Sequence, residues 1–157
     1  MKMTMLAVGK TDVEWVRSGL ELYLSRLRHY VPFSICELPE LKNASSLTEE
    51  MIREKEGELV LRSVKPSDEV ILLDERGEEY SSVGFASMLE NRISRGRRDI
   101  VFVIGGAYGF SGPVYERADG KISLSKMTFS HQMVRTIFAE QLYRAFTIIK
   151  GEPYHHE

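Results

Sequence analysis

Apolar residues along the chain alternate between short continuous runs and longer stretches in which they recur every three or four positions. The runs predict buried strands and the stretches predict amphipathic helices, so the fold class is α/β, with a mostly parallel sheet flanked by helices. A first strand is expected at Met3–Val8. Asp12 is placed to cap a helix reaching Arg28, with Val16, Leu20, Leu24 and Leu27 forming its buried stripe, and Pro32 ends it. A second strand, Phe33–Leu38, leads into a polar loop where Ser46 and Glu49 have capping-box spacing ahead of a helix over Leu47–Ser63.

The third strand is expected at Glu69–Leu73, with a turn at Asp74-Glu75-Arg76-Gly77. A helix over Ser82–Arg95 then passes through Gly96 into the continuous apolar run Ile100–Ile104, suited to a central strand. That run ends in Gly105-Gly106-Ala107-Tyr108-Gly109. Residues Gly112–Ala118 are expected as a short helix and Lys121–Leu124 as a short strand. The last helix, His131–Ile149, is apolar over more than one face, because Met133, Tyr143 and Ile148 lie off its main stripe. Burial on several sides follows, against a second subunit as readily as against its own domain.

At 157 residues with 43% hydrophobic and 28% charged, the chain fits one domain over its whole length, residues 1–157, with no linker and no repeat. A net charge of −2 and a pI near 6.1 argue against nucleic-acid binding through a broad basic surface. Local cation clusters remain, at Arg92, Arg95, Arg97 and Arg98 and at Arg26, Arg28 and His29. Each has a plain reading as a solvated helix end, favoured by the helix dipole. The single cysteine, Cys36, excludes an internal disulfide and fits a reducing compartment. No apolar stretch is long enough for a signal peptide core or a membrane span, so a cytoplasmic location without membrane attachment is expected.

In an open α/β sheet, ligands bind beyond the carboxyl ends of the strands. Three segments therefore hold the candidate chemistry: the turn after Leu73, the Gly105–Gly109 loop, and Ser125–Ser130. Paired glycines let a ligand touch the backbone, or simply serve a tight strand-to-helix turn. The loop lacks the G-x-G-x-x-G dinucleotide spacing, and no Walker A pattern occurs. One cysteine and four histidines, of which only His155 and His156 are close in sequence, give no metal-ligand spacing, so no metal is expected. His131 beside Ser130 suits a capping or packing role. Glu140 and Arg144 have the spacing and order of a helix ion pair. From the residues alone the reading stops at a ligand-binding α/β domain that forms oligomers.

A resemblance carries it further. Leu72-Leu73-Asp74, Phe102 to Gly109, Leu124-Ser125-Lys126-Met127-Thr128-Phe129-Ser130-His131-Gln132-Met133-Val134-Arg135, Glu140-Gln141-Leu142-Tyr143-Arg144-Ala145 and the terminal Tyr154-His155 recur in order. Together they resemble the family that methylates N3 of a pseudouridine in 23S ribosomal RNA, known as RlmH, over the whole chain from Leu6-Ala7-Val8-Gly9-Lys10 to the tail. The resemblance implies a SPOUT-type fold with a C-terminal trefoil knot, an exception to the usual topology rules. It also implies a homodimer acting on the assembled ribosome, with S-adenosylmethionine as cofactor. Carried over position by position, Leu73, Gly105, Leu124, Ser125, Lys126, Met127, Thr128 and Phe129 would bind the cofactor. His155 would accept the N3 proton or orient the base, Tyr154 would stack on it, and Arg135 and Arg144 would contact phosphate or base.

Three rivals are distinguishable. A ribosome-binding factor without chemistry would keep the fold and lose the loops or the tail. A phosphate-binding module would bind nucleotides and not S-adenosylmethionine. A methyltransferase of the same fold acting on transfer RNA would differ in substrate alone.

Overall fold

The computed structural model describes residues 1–156. Five strands form one wholly parallel sheet in the order β2-β1-β4-β3-β5. They are β1 (Met3–Val8), β2 (Phe33–Leu38), β3 (Glu69–Glu79), β4 (Ile100–Ile104) and β5 (Gly120–Ser123). Alternation along the strands sends side chains to opposite faces, and both faces are covered. On one, Met3, Met5, Ile71, Ile100 and Phe102 pack beneath α1 (Glu14–Leu27), α3 (Ser82–Arg95) and α5 (Met133–Ile149). On the other, Leu6, Leu72, Val101 and Val103 meet α2 (Glu49–Ser63) and α4 (Gly112–Arg117), which contribute Val60 and Val114.

The broad apolar surface of α5 is largely absorbed within the chain. This helix lies against both α1 and α3, so Phe138, Ala139, Leu142, Ala145 and Phe146 are buried. Phe138 stands 4.8 Å from Phe102 and 6.3 Å from Phe85, ring centre to ring centre. Tyr143, off the main stripe, packs against Tyr23, Tyr30 and Tyr154. Met133 is left exposed at the start of the helix.

Two expected caps are corrected. Helix α1 is preceded by Val13 with no side-chain cap, and the Asp12 amide instead donates to the Gln132 side chain at 3.1 Å. Helix α2 is capped by Thr48, whose hydroxyl accepts from Met51 N, while Ser46 belongs to the short 3-10 turn Ala44–Ser46 before it.

The larger departure is β3. The expected turn Asp74–Gly77 is a bulge inside a strand that continues to Glu79, because Glu78 and Glu79 pair with Ile122 and Ser123 of β5. Gly77 makes this crossing possible: a Cβ there would lie 2.7 Å from the main-chain N and C of Ile122. No described helix is long and apolar enough to cross a membrane.

Candidate active site

The carboxyl ends of β3, β4 and β5 open onto a cleft of about 830 Å³. Its walls come from the three segments that the strand ends position: Leu73–Arg76, Ile104–Phe110, and the loop between β5 and α5. Gly105 turns the chain out of β4, and a Cβ at that position would press to 3.1 Å on the Phe110 ring. Gly109 donates to Gly106 O at 3.2 Å and has φ +80°, a left-handed conformation that closes the loop and that side chains with a Cβ resist.

The loop after β5 is held by its own hydroxyls. Ser123 Oγ donates to Ser125 O at 2.9 Å, Ser125 Oγ accepts from Met127 N at 3.0 Å, and Ser130 Oγ accepts from Met133 N at 3.0 Å. Of the eight residues expected at the cofactor, Leu73, Gly105, Leu124, Ser125, Thr128 and Phe129 line the cleft. Lys126 and Met127 do not line it. Lys126 points outward with its ammonium 4.0 Å from Glu79, and Met127 is 78% exposed.

Sequence reasoning missed several residues of the same cleft. Tyr115 donates to Asp74 Oδ2 at 2.5 Å, and burial together with that bond pushes its phenol up to about 12. Glu49 and Arg53 reach the cleft from α2, and His131 and Val134 from the start of α5. One turn beyond Arg53, Glu56 stands behind the glycine loop: a Cβ on Gly106 would meet its Oε1 at 2.5 Å. That oxygen is buried without a hydrogen-bond partner, and desolvation raises the carboxyl above its ordinary range. Only the i, i+4, i+7 spacing of Glu49, Arg53 and Glu56 marked a common face in the sequence.

Arg135 lies apart from solvent. It is fully buried, and its guanidinium donates to His131 O, Gly9 O, Val8 O and Thr11 Oγ1 at 2.8–3.0 Å, with Glu37 at 3.5 Å. The contact with phosphate or base expected for it has no open face in this geometry. Arg135 instead ties the start of α5 to the end of β1.

The other three expected residues gather at the far end of α5. One carboxylate oxygen, Glu140 Oε1, accepts from Arg144 Nε at 3.1 Å, Arg144 Nη2 at 2.5 Å and the Tyr154 hydroxyl at 2.9 Å. The Arg144 guanidinium lies 4.8 Å from the centre of the Tyr154 ring, and its Nη1 is 3.0 Å from His155 Nδ1. A guanidinium has no acceptor, so in this contact it donates and Nδ1 accepts. Burial and bonds to Tyr23 and Glu140 raise the Tyr154 phenol far above its usual range. Ten residues of helix separate Arg144 from Val134 at the cleft, about 15 Å along the axis.

Within the remaining cation clusters, Arg92, Arg98 and Arg26 are engaged structurally. Arg92 pairs with Glu69, and Arg98 donates to the carbonyls of Ser67 and Asp68. Arg26 lies over the rings of Tyr23 and Tyr143.

A family model described as a predicted SPOUT methyltransferase matches residues 1–155. The chain is 52% identical over 156 residues, 99% of both sequences, to a protein of Christiangramia forsetii named ribosomal RNA large subunit methyltransferase H. Proteins of the same name from Parabacteroides distasonis and Bacteroides fragilis are each 50% identical across the full length of both chains.

Proposed function

The chain belongs to the SPOUT methyltransferase family, and from that premise we propose that it methylates N3 of a pseudouridine in 23S ribosomal RNA, using S-adenosylmethionine, on the assembled ribosome in the cytoplasm. Methylation of large-subunit ribosomal RNA follows from the names of relatives about half identical over their full length. The observation that carries the cofactor reading is the cleft itself. It combines an apolar wall of Leu73, Ile104, Leu124, Phe129 and Val134 with main chain free of side chains at Gly105, Gly106 and Gly109. That pairing suits an adenine, which needs an apolar slot and backbone hydrogen bonds, and the volume falls within the usual range of cofactor sites, roughly 300–1,000 Å³.

When bound, S-adenosylmethionine supplies a methyl group already made electrophilic by its sulfonium. The protein's task is to bring N3 in line with it, exclude water and let the N3 proton leave. Arg144, Tyr154 and His155 are the residues for that task. Tyr154 offers an aromatic face for an unstacked base, Arg144 offers charge for phosphate or base, and His155 orients the base edge. The bond from Arg144 occupies His155 Nδ1, so this ring orients the base and the N3 proton passes to solvent.

The tail and the cleft are separated by about 15 Å of helix, whereas transfer needs reacting atoms about 3–3.5 Å apart. A homodimer in which the tail of one chain serves the cleft of its partner removes that gap. The trefoil knot implied by the family would lie in the C-terminal part of the chain.

Calorimetric titration with S-adenosylhomocysteine, followed by a labelled-methyl assay on ribosomes lacking the modification, tests the reading. Saturable binding and one labelled pseudouridine are expected. A folded protein that neither binds the product nor labels ribosomes overturns it.

A further inference from the structure

We propose that Glu140 is a positioning residue for methyl transfer, the anchor that holds Arg144 and the C-terminal tail in one working arrangement. This rests on the tail reading given above. A helix pair spaced i, i+4 ordinarily leaves two exposed side chains weakly associated. Here both side chains are mostly buried, with exposures of 25% for Arg144 and 17% for Glu140. The same oxygen also takes the Tyr154 hydroxyl, fourteen residues further on and beyond the turn at Gly151.

The geometry of a guanidinium explains why this matters for the reaction. Its five donors lie in one plane, so fixing the Nε and Nη2 edge on Glu140 sets the direction of Nη1, which points to His155. Glu140 therefore orients His155 through Arg144, and Tyr154 by direct contact. Its second oxygen is held by Gln141 Nε2 at 3.1 Å, and Gln141 Oε1 lies 3.4 Å from the Ser82 hydroxyl on α3. The anchor is thus fixed to the body of the fold and not to the tail it positions.

Glu140→Gln keeps size and one acceptor but removes the charge that grips Arg144. In single-turnover assays on ribosomes, the transfer rate should fall about ten- to a hundredfold, the cost of a small misplacement of reacting groups. Affinity for S-adenosylhomocysteine should stay unchanged, the thermal midpoint should fall because Arg144 loses its counter-charge, and amide exchange over residues 151–155 should quicken. Glu140→Asp, which restores the charge, should recover part of the rate. Tyr154→Phe removes only the hydroxyl, and combining it with Glu140→Gln should slow transfer no more than the slower single change.

A Glu140→Gln enzyme with wild-type transfer rate and tail exchange overturns the proposal, as do fully multiplicative losses in the double variant. Should Glu140→Gln fail to fold, Tyr154→Phe decides by the same two readouts. His155→Ala assayed in parallel separates the layers. An inactive His155→Ala beside a wild-type Glu140→Gln removes only the role of Glu140, whereas a fully active His155→Ala removes the tail reading beneath it.

Discussion

The guanidinium of Arg135 donates to the main-chain carbonyl of Gly9 at 2.9 Å, joining the start of the last helix to the end of the first strand across 126 residues. Around that bond, the Val8 and His131 carbonyls, Thr11 and Glu37 complete the shell, and Glu37 also accepts from the Thr11 amide. The helix start fixed in this way carries His131 and Val134 at the cleft wall.

Replacing Arg135 by Met should therefore act on stability first. The change strands the carbonyls of Val8 and Gly9 without this donor, while Glu37 keeps the Thr11 amide and partial access to solvent, and leaving a buried acceptor unpaired costs about 1–3 kcal/mol. Chemical denaturation should show that loss, with weakened S-adenosylhomocysteine binding following from the displaced loop. A variant of wild-type stability that failed only on ribosomes would restore the substrate contact expected from the sequence.

Gly77→Ala tests the bulge in β3. The new Cβ would lie 2.7 Å from two main-chain atoms of Ile122, which cannot swing aside as a side chain would. Either β5 moves or the bulge opens, and overpacking of this kind costs about 1–3 kcal/mol. Because Leu124 and Ser125 follow β5 directly into the cleft, cofactor affinity should fall along with stability. Unaltered denaturation and binding curves for this variant would contradict so close a crossing.

These two sites mark where the sequence stopped being legible. The helices α1, α3 and α5 and the strands β1, β2 and β4 follow from local periodicity, because each buries its own stripe or run. The extension of β3 does not, since the polar residues Glu78 and Glu79 are strand only by pairing with β5. Arg135 fails for a related reason. In a sequence, a buried arginine looks the same as one that grips phosphate, and its partners Val8, Gly9, Thr11 and Glu37 lie about a hundred residues away or more. Asp12 was misread because its backbone bonds to Gln132, again from the far end of the chain. The loop residues that resembled a known family were informative through their order, which preserved long-range information that local patterns lack.

Glu56 gives a pH-dependent prediction. Burial raises its carboxyl above the ordinary carboxylate range, so the folded state holds the proton more tightly than the unfolded chain. The stabilising contribution is then fully present below the unfolded value and is lost as pH rises through the folded one. Gln at this position is neutral throughout. The thermal midpoint of Glu56→Gln should exceed that of the wild type at pH 8, with the difference shrinking toward pH 4. A difference independent of pH would show that the carboxyl behind Gly106 titrates normally.

Mixing two inactive variants asks whether tail and cleft meet between chains. Gly105→Val places side-chain atoms against Phe110, where a Cβ alone already comes within 3.1 Å, and should abolish cofactor binding while sparing the tail. His155→Ala removes the tail's imidazole and spares the cleft. If the tail of one chain serves the cleft of its partner, each mixed dimer regains one complete site. Random reassortment of equal amounts makes half the dimers mixed, so activity should return to about a quarter of the wild-type level. If each tail served its own cleft, or if the chain acted alone, no combination could unite an intact cleft with an intact tail, and the mixture would remain inactive. A recovered signal that disappears when the two variants are kept in separate, non-exchanging dimers would assign it to sites shared between chains.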